Sequence, residues 1–171
     1  EAGTRGAHTI PPPPDTRKAL TATEAEIAVL GGCLIDPEAI LIARRLLTVE
    51  AFAVARHRLI YKAMLRLADA GQAIDPVTLS EHLKARGELD DAGGFPYLAE
   101  LLDAVPTAAN LEYHARIVAD RAARRRLHSI GHQIAAAAAD PDLDIAEIRA
   151  RLAQHARDVD GLGGMPGASR I

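Results

Sequence analysis

Residues 111–139, "LEYHARIVADRAARRRLHSIGHQIAAAAA", contain no proline and a single glycine. Pro106 precedes the stretch and Pro141 follows it, so the spacing predicts one helix of many turns between two breakers. Its apolar residues do not keep to one face. At 100° per residue, Leu111, Ala115, Val118 and Ala122 fall together, and so do Leu127, Ile130, Ile134 and Ala138. The second group lies roughly a third of a turn away from the first. Between them, residues 121–126 carry no large apolar side chain. The first half is therefore expected to pack on helices that precede it, and the second half to leave that core.

A partner for the second half follows in the sequence. "DPDLD", residues 140–144, is turn chemistry, with acids around a proline. Asp144 with Glu147 resembles a capping box, and Ile145, Ile148, Leu152, Ala156 and Val159 then recur at spacings of three and four. The two segments predict an αα-hairpin. An isolated hairpin of this size is marginal in water, so its apolar faces are expected to dock on another copy or another protein. Leu127, Ile130, Ile134, Ile145, Ile148 and Leu152 are the candidate interface residues.

Upstream, several short helices are punctuated clearly. Thr23 and Glu26 have capping-box spacing, and Ile27, Leu30 and Leu34 follow as an apolar face. Gly31 and Gly32 sit inside this helix at roughly 1 kcal/mol each relative to Ala, which predicts close approach of a neighbouring helix. Asp36-Pro37 and Asp75-Pro76 both read as a cap followed by a proline that needs no hydrogen bond. Leu59, Ala63 and Leu67 predict one stripe, flanked by Ile60 and Met64, and Val77, Leu79 and Leu83 another. Gly71 and Gly87 are the expected stops. "FPYLAELLDAV" predicts one more short helix, and no segment shows convincing strand alternation.

The fold class expected is all-α: a compact helical globule followed by a C-terminal αα-hairpin. The divisions are a disordered proline-rich lead (1–20), a helical globular subdomain (21–122), the hairpin (123–159) and a glycine-rich linker or tail (160–171). With 171 residues, 49% of them hydrophobic, one such domain has enough apolar content for a core. No run approaches the ~18 apolar residues of a membrane span. A net charge of −3 argues against a dedicated nucleic-acid binder. The lone Cys33 cannot form an internal disulfide and reads as a small buried hydrophobe in a reducing compartment.

The chain carries a set of spaced elements in order: Glu24-Ala25-Glu26 then Val29-Leu30-Gly31, Asp36-Pro37-Glu38-Ala39, and His57 with Leu59-Ile60. Arg86-Gly87, Gly93-Gly94, Tyr97-Leu98, Val105-Pro106 with Ala109-Asn110, and Tyr113-His114-Ala115-Arg116-Ile117-Val118 follow. In these the chain resembles the N-terminal domain of DnaB-type replicative DNA helicases, from about Glu24 to the end of the last helix. The resemblance implies an assembly and collar domain. Its hairpins pair subunits into dimers, the dimers close into a hexameric ring, and the collar receives the C-terminal domain of primase and also touches a helicase loader. It further implies a cytoplasmic replisome protein whose ATP and Mg²⁺ belong to a separate RecA-like motor. One departure is local: the family usually has an aromatic after the Phe and a proline shortly after, whereas Ala53, Val54 and Ala55 follow Phe52.

No Gly-x-x-x-x-Gly-Lys-Ser/Thr phosphate loop occurs in the 171 residues, so this chain is expected to be no enzyme and to hold no cofactor. The start at Glu1 favours a fragment of a longer helicase; the alternative is a stand-alone replication accessory or regulatory protein. His128 and His132 share a helix face but lack a third ligand and the glutamate of His-Glu-x-x-His, so they read as a surface or hairpin-lining pair. His57 reads as a structural hydrogen-bonding residue. Arg121, Arg124, Arg125 and Arg126 read as a solvated face near Asp120, with an acidic partner or weak DNA contact as the alternative; no aromatic platform is interleaved. Glu88, Asp90 and Asp91 read as a solvated loop rather than a metal site.

Overall fold

The computed structural model describes residues 22–163, with side chains through residue 157. Within that span the helices are α1 Thr23–Ile35, α2 Ile40–Leu46, α3 Ala55–Asp69, α4 Pro76–Lys84, α5 Gly94–Asp103, α6 Leu111–Ala139 and α7 Ile145–Gly163. Two 3₁₀ turns, Pro37–Ala39 and Val49–Ala51, precede α2 and α3. There is no strand among the described residues, and the fold is all-α as the sequence implies. The proline-rich lead and most of the glycine-rich tail lie outside the described residues.

α1 is the central rod, packed against α5, α3 and the first half of α6. Its glycines make this possible. A Cβ on Gly31 would collide with the carbonyl oxygen of Leu101 and lie 2.7 Å from Val105 Cγ2, and one on Gly32 would lie 2.9 Å from Leu111 Cδ1. The propensity cost of two glycines is offset by contacts that alanine would push apart. Around this rod Leu30, Phe52, Ile60, Tyr61, Met64, Leu79, Leu83 and Leu98 are wholly buried. Cys33 is buried too, and burial pushes its thiol up to about 12, which makes it unreactive.

The aspartate-proline starts form as expected. Asp36 accepts from the Glu38 amide at 3.1 Å, although it opens a 3₁₀ turn before α2 rather than α2 itself. Asp75 accepts from the amides of Val77 and Thr78, both at 2.9 Å. Gly71 and Gly87 adopt positive φ beyond α3 and α4, with Gln72 and Glu88 amides closing back on Leu67 and Leu83.

Three expectations change. The capping box at Thr23 does not form: α1 has Ala22 at its N-cap with no side-chain bond, because Glu26 is drawn into the core. The stripe on α3 forms with Ala63, Leu67, Ile60 and Met64 buried, but Leu59 at its edge is half-buried, and Val77 on α4 is exposed. α7 continues to Gly163, so the first four residues of the expected tail are helical. Gly161 lies inside this last turn, and its cost of roughly 1 kcal/mol does not stop the helix.

Candidate assembly surface on the hairpin

α6 is one helix of 29 residues serving two packing units. Its first half buries Leu111, Ala115 and Val118 against the globule, and Ala122 is half-buried. Beyond Arg121 the only fully buried side chain on α6 is Ala137. There α7 folds back along α6 through the turn at 140–144, and α6 is its one extensive packing partner. Asp144 caps α7 through the Ala146 amide at 3.2 Å. Glu147 does not complete a capping box; it pairs with Arg151 at 2.6 Å.

Of the candidate interface residues, Ile130, Ile134 and Ile148 are half-buried between the two helices. Leu127, Ile145 and Leu152 are 51%, 63% and 52% exposed, which matters because nothing among the described residues covers them. Helical geometry relates them. On α6 the face toward α7 is marked by Ile130, Ile134 and Ala137, and Leu127 falls roughly 50° to one side of it. On α7 the face toward α6 is marked by Ile148 and the half-buried His155, and Ile145, Leu152 and Ala156 fall roughly 50–90° to one side. Because the helices are antiparallel, both offsets point to the same side of the hairpin. The result is one apolar strip contributed by both rods. Val159 lies beyond the residues whose side chains are described.

The four arginines do not form a single patch. Arg124 pairs with Asp120 at 2.8 Å, and Arg121 approaches the same carboxylate at 3.9 Å. Arg126 is exposed and has a partner of its own. Arg125 turns inward and donates to the Ala51 carbonyl at the end of the second 3₁₀ turn. Burial lowers its guanidinium from the ordinary value, with Arg58 acting in the same direction and Glu26 opposing both.

Arg125 thus meets a polar centre that the sequence conceals. Glu26 is 1% exposed. Its carboxylate accepts from the Ala53 amide at 2.6 Å, the Val54 amide at 3.3 Å and His57 Nδ1 at 2.7 Å. His57 Nε2 lies 2.7 Å from the Tyr97 hydroxyl, so the network assigns Nδ1–H as donor and Nε2 as acceptor from tyrosine. Arg56 covers the Tyr97 ring at 3.8 Å. His57 is therefore the structural hydrogen-bonding residue expected, while Glu26 was missed. The available signal was an acid on the same helical face as Val29, Leu30 and Cys33. The segment after Phe52 is also explained: Phe52 packs on Tyr61 with centroids 4.7 Å apart, while the two small residues after it turn their amides to Glu26.

No group of three or more metal-capable side chains occurs among the described residues, Glu88, Asp90 and Asp91 included. None of the described helices is long and apolar enough to cross a membrane.

These features define an all-helical globule carrying an extended helical hairpin with an open apolar side. Residues 18–120 match the family model described as the DnaB-like helicase N terminal domain, and the chain belongs to that family. The chain is 51% identical over 104 residues to the replicative DNA helicase DnaB of Geobacillus stearothermophilus, covering 61% of this chain and 23% of that protein. It is 47% identical over 115 residues to that of Treponema pallidum, covering 67% of this chain and 26% of the relative. The chain thus spans about a quarter of the length of these relatives. Among solved structures, the N-terminal domain of DnaB helicase from Mycobacterium tuberculosis superposes with a TM-score of 0.77 at 37% identity, covering 81% of this chain and 98% of that one. A DnaB-like replicative helicase described with its interactions with primase gives 0.69 at 27% identity, covering 88% of this chain and 33% of that chain.

Proposed function

We propose that this chain is the assembly and docking domain of a replicative DNA helicase and performs no chemistry itself. Its hairpin pairs with the hairpin of a second copy, pairs close into a hexameric collar, and the collar receives the C-terminal domain of primase and a helicase loader. The observation that carries this reading is the strip of Leu127, Ile145 and Leu152, left exposed on one side of a two-helix unit too small to stand alone. A second copy suits it because an apolar strip on one side of a hairpin is self-complementary across a two-fold axis.

Membership of the family supports the replication role, and the structural neighbour described with primase supports that partner. ATP hydrolysis, with its Mg²⁺, is assigned to a motor region outside these residues, and this chain needs no cofactor for assembly. DNA contact by this domain is weak or absent, since Arg125 is engaged with the globule and Arg121 and Arg124 with Asp120. The setting is the cytoplasmic replisome.

The test is mass measurement of the purified chain, alone and with primase's C-terminal domain. Self-association alone and a heavier mixed species with primase are expected. A mixture that elutes as its separate components contradicts the docking role.

A further inference from the structure

The side of α6 turned away from α7 carries a feature the assembly role does not use. His128 and His132 are both exposed, one helical turn apart, and lie roughly opposite the α7-facing residues by the 100° advance. Their rings are set at 70° with centroids 4.4 Å apart. The two Nε2 atoms converge to 3.3 Å. Two nitrogens bound at about 2.0–2.1 Å to one tetrahedral zinc ion stand about 3.3 Å apart. The pair therefore already has the spacing of a two-toothed chelate.

The geometry points to a surface site for a zinc-class divalent cation held by His128 Nε2 and His132 Nε2. Neighbouring turns of α6 offer no further ligand: Arg124 and Arg125 precede the pair, and Ala135 and Ala136 follow it. Half the coordination sphere is thus left to water or to a donor from a docked molecule. Such a site is contact-forming rather than catalytic. No acid stands within one turn of the pair on α6 to serve as a general base, and the rings lie on an open flank rather than in a cleft. Bound metal links successive turns of α6 beyond its last firm anchor in the globule, and so stabilises the folded hairpin by mass action.

The same 3.3 Å also fits one N–H···N hydrogen bond between neutral rings, which binds no metal, and titration separates the two. Zinc chloride is titrated by calorimetry into the untagged full chain, wild type and with H128A, H132A or both. His114→Ala, on the same helix but far from the pair, is the control. The expected result is saturable binding of one zinc per chain, weakened at least tenfold by either substitution and unchanged by H114A. All of these positions are at least partly exposed, so the variants fold, which circular dichroism checks; zinc should also raise the melting temperature of the wild type and not of the double variant. Binding that survives in the double variant, loss in only one single variant, or no saturable binding at all overturns the site.

Discussion

The globule and the hairpin share one helix and bury their apolar residues in different ways. In the globule, wholly buried side chains close around α1, and even the ionisable Glu26 and His57 find every partner inside the chain. In the hairpin beyond Arg121, Ala137 is the only fully buried side chain among those described, and Leu127, Ile145 and Leu152 face outward. A chain that closes a wholly buried core locally makes a self-contained unit, even with Ile35, Leu41, Val77, Phe95 and Tyr113 left exposed on its surface. A chain that places its apolar residues along two rods without a third layer makes a unit completed from outside. α6 joins the two, and Arg125 fixes the joint by tying the root of the hairpin to Ala51.

The largest effect expected lies in the globule. Glu26→Ala removes the acceptor of His57 and of two backbone amides, and each buried donor left unsatisfied costs roughly 1–3 kcal/mol. Urea unfolding should show that loss, and a change below about 1 kcal/mol would mean that water reaches the network. Ile148→Asp or Ile134→Asp should act on the other unit. An unpaired carboxylate at the half-buried seam weakens association by about tenfold or more while the cooperative unfolding of residues 23–118 is preserved. Equal loss of globule stability and of association would erase the distinction between the two units.

Arg125→Ala addresses the joint. A charged hydrogen bond from a half-exposed side chain contributes about 1 kcal/mol, so overall stability should fall little. Amide exchange around residues 122–128 should nonetheless quicken, since this tie is what anchors the root. Unchanged exchange there would show that helix continuity alone holds the hairpin.

The smallest effect is a cap. Bonds from the Thr78 amide and hydroxyl, with the Val77 amide adding to them, hold Asp75 below the usual carboxylate value. A depressed carboxylate stabilises the fold above its unfolded pKa of about 3.9, and that stability is lost as pH falls through the lower folded value. Asp75→Ala should cost about 1 kcal/mol at neutral pH. The gap between variant and wild type should close under acid; a gap that persists at the lowest pH would assign the effect to packing.

Much of this was legible in the residues. Prolines at helix starts, glycines after helix ends and the doublet Gly31-Gly32 each have one strong local meaning, and the structure uses them so. The turn at 140–144 and the face change on α6 were legible for the same reason: helical period converts spacing into direction. Glu26 was not, because its local signal, three residues after Thr23, competes with a tertiary demand from His57 and the 53–54 amides. Val77 and Leu59 missed because an apolar residue at the edge of a stripe is buried or exposed according to the neighbour's outline. The exposure of Leu127, Ile145 and Leu152 could be inferred only from the want of a third layer among the described residues.

Light scattering of the purified chain across a concentration series tests the central claim most directly. The account predicts a mass rising toward twice 18.2 kDa as concentration passes through the micromolar range, and a return to the single-chain mass when Ile145 and Leu152 are both changed to Asp. A chain that stays at the single mass at hundreds of micromolar, or a double variant that associates like the wild type, would contradict it.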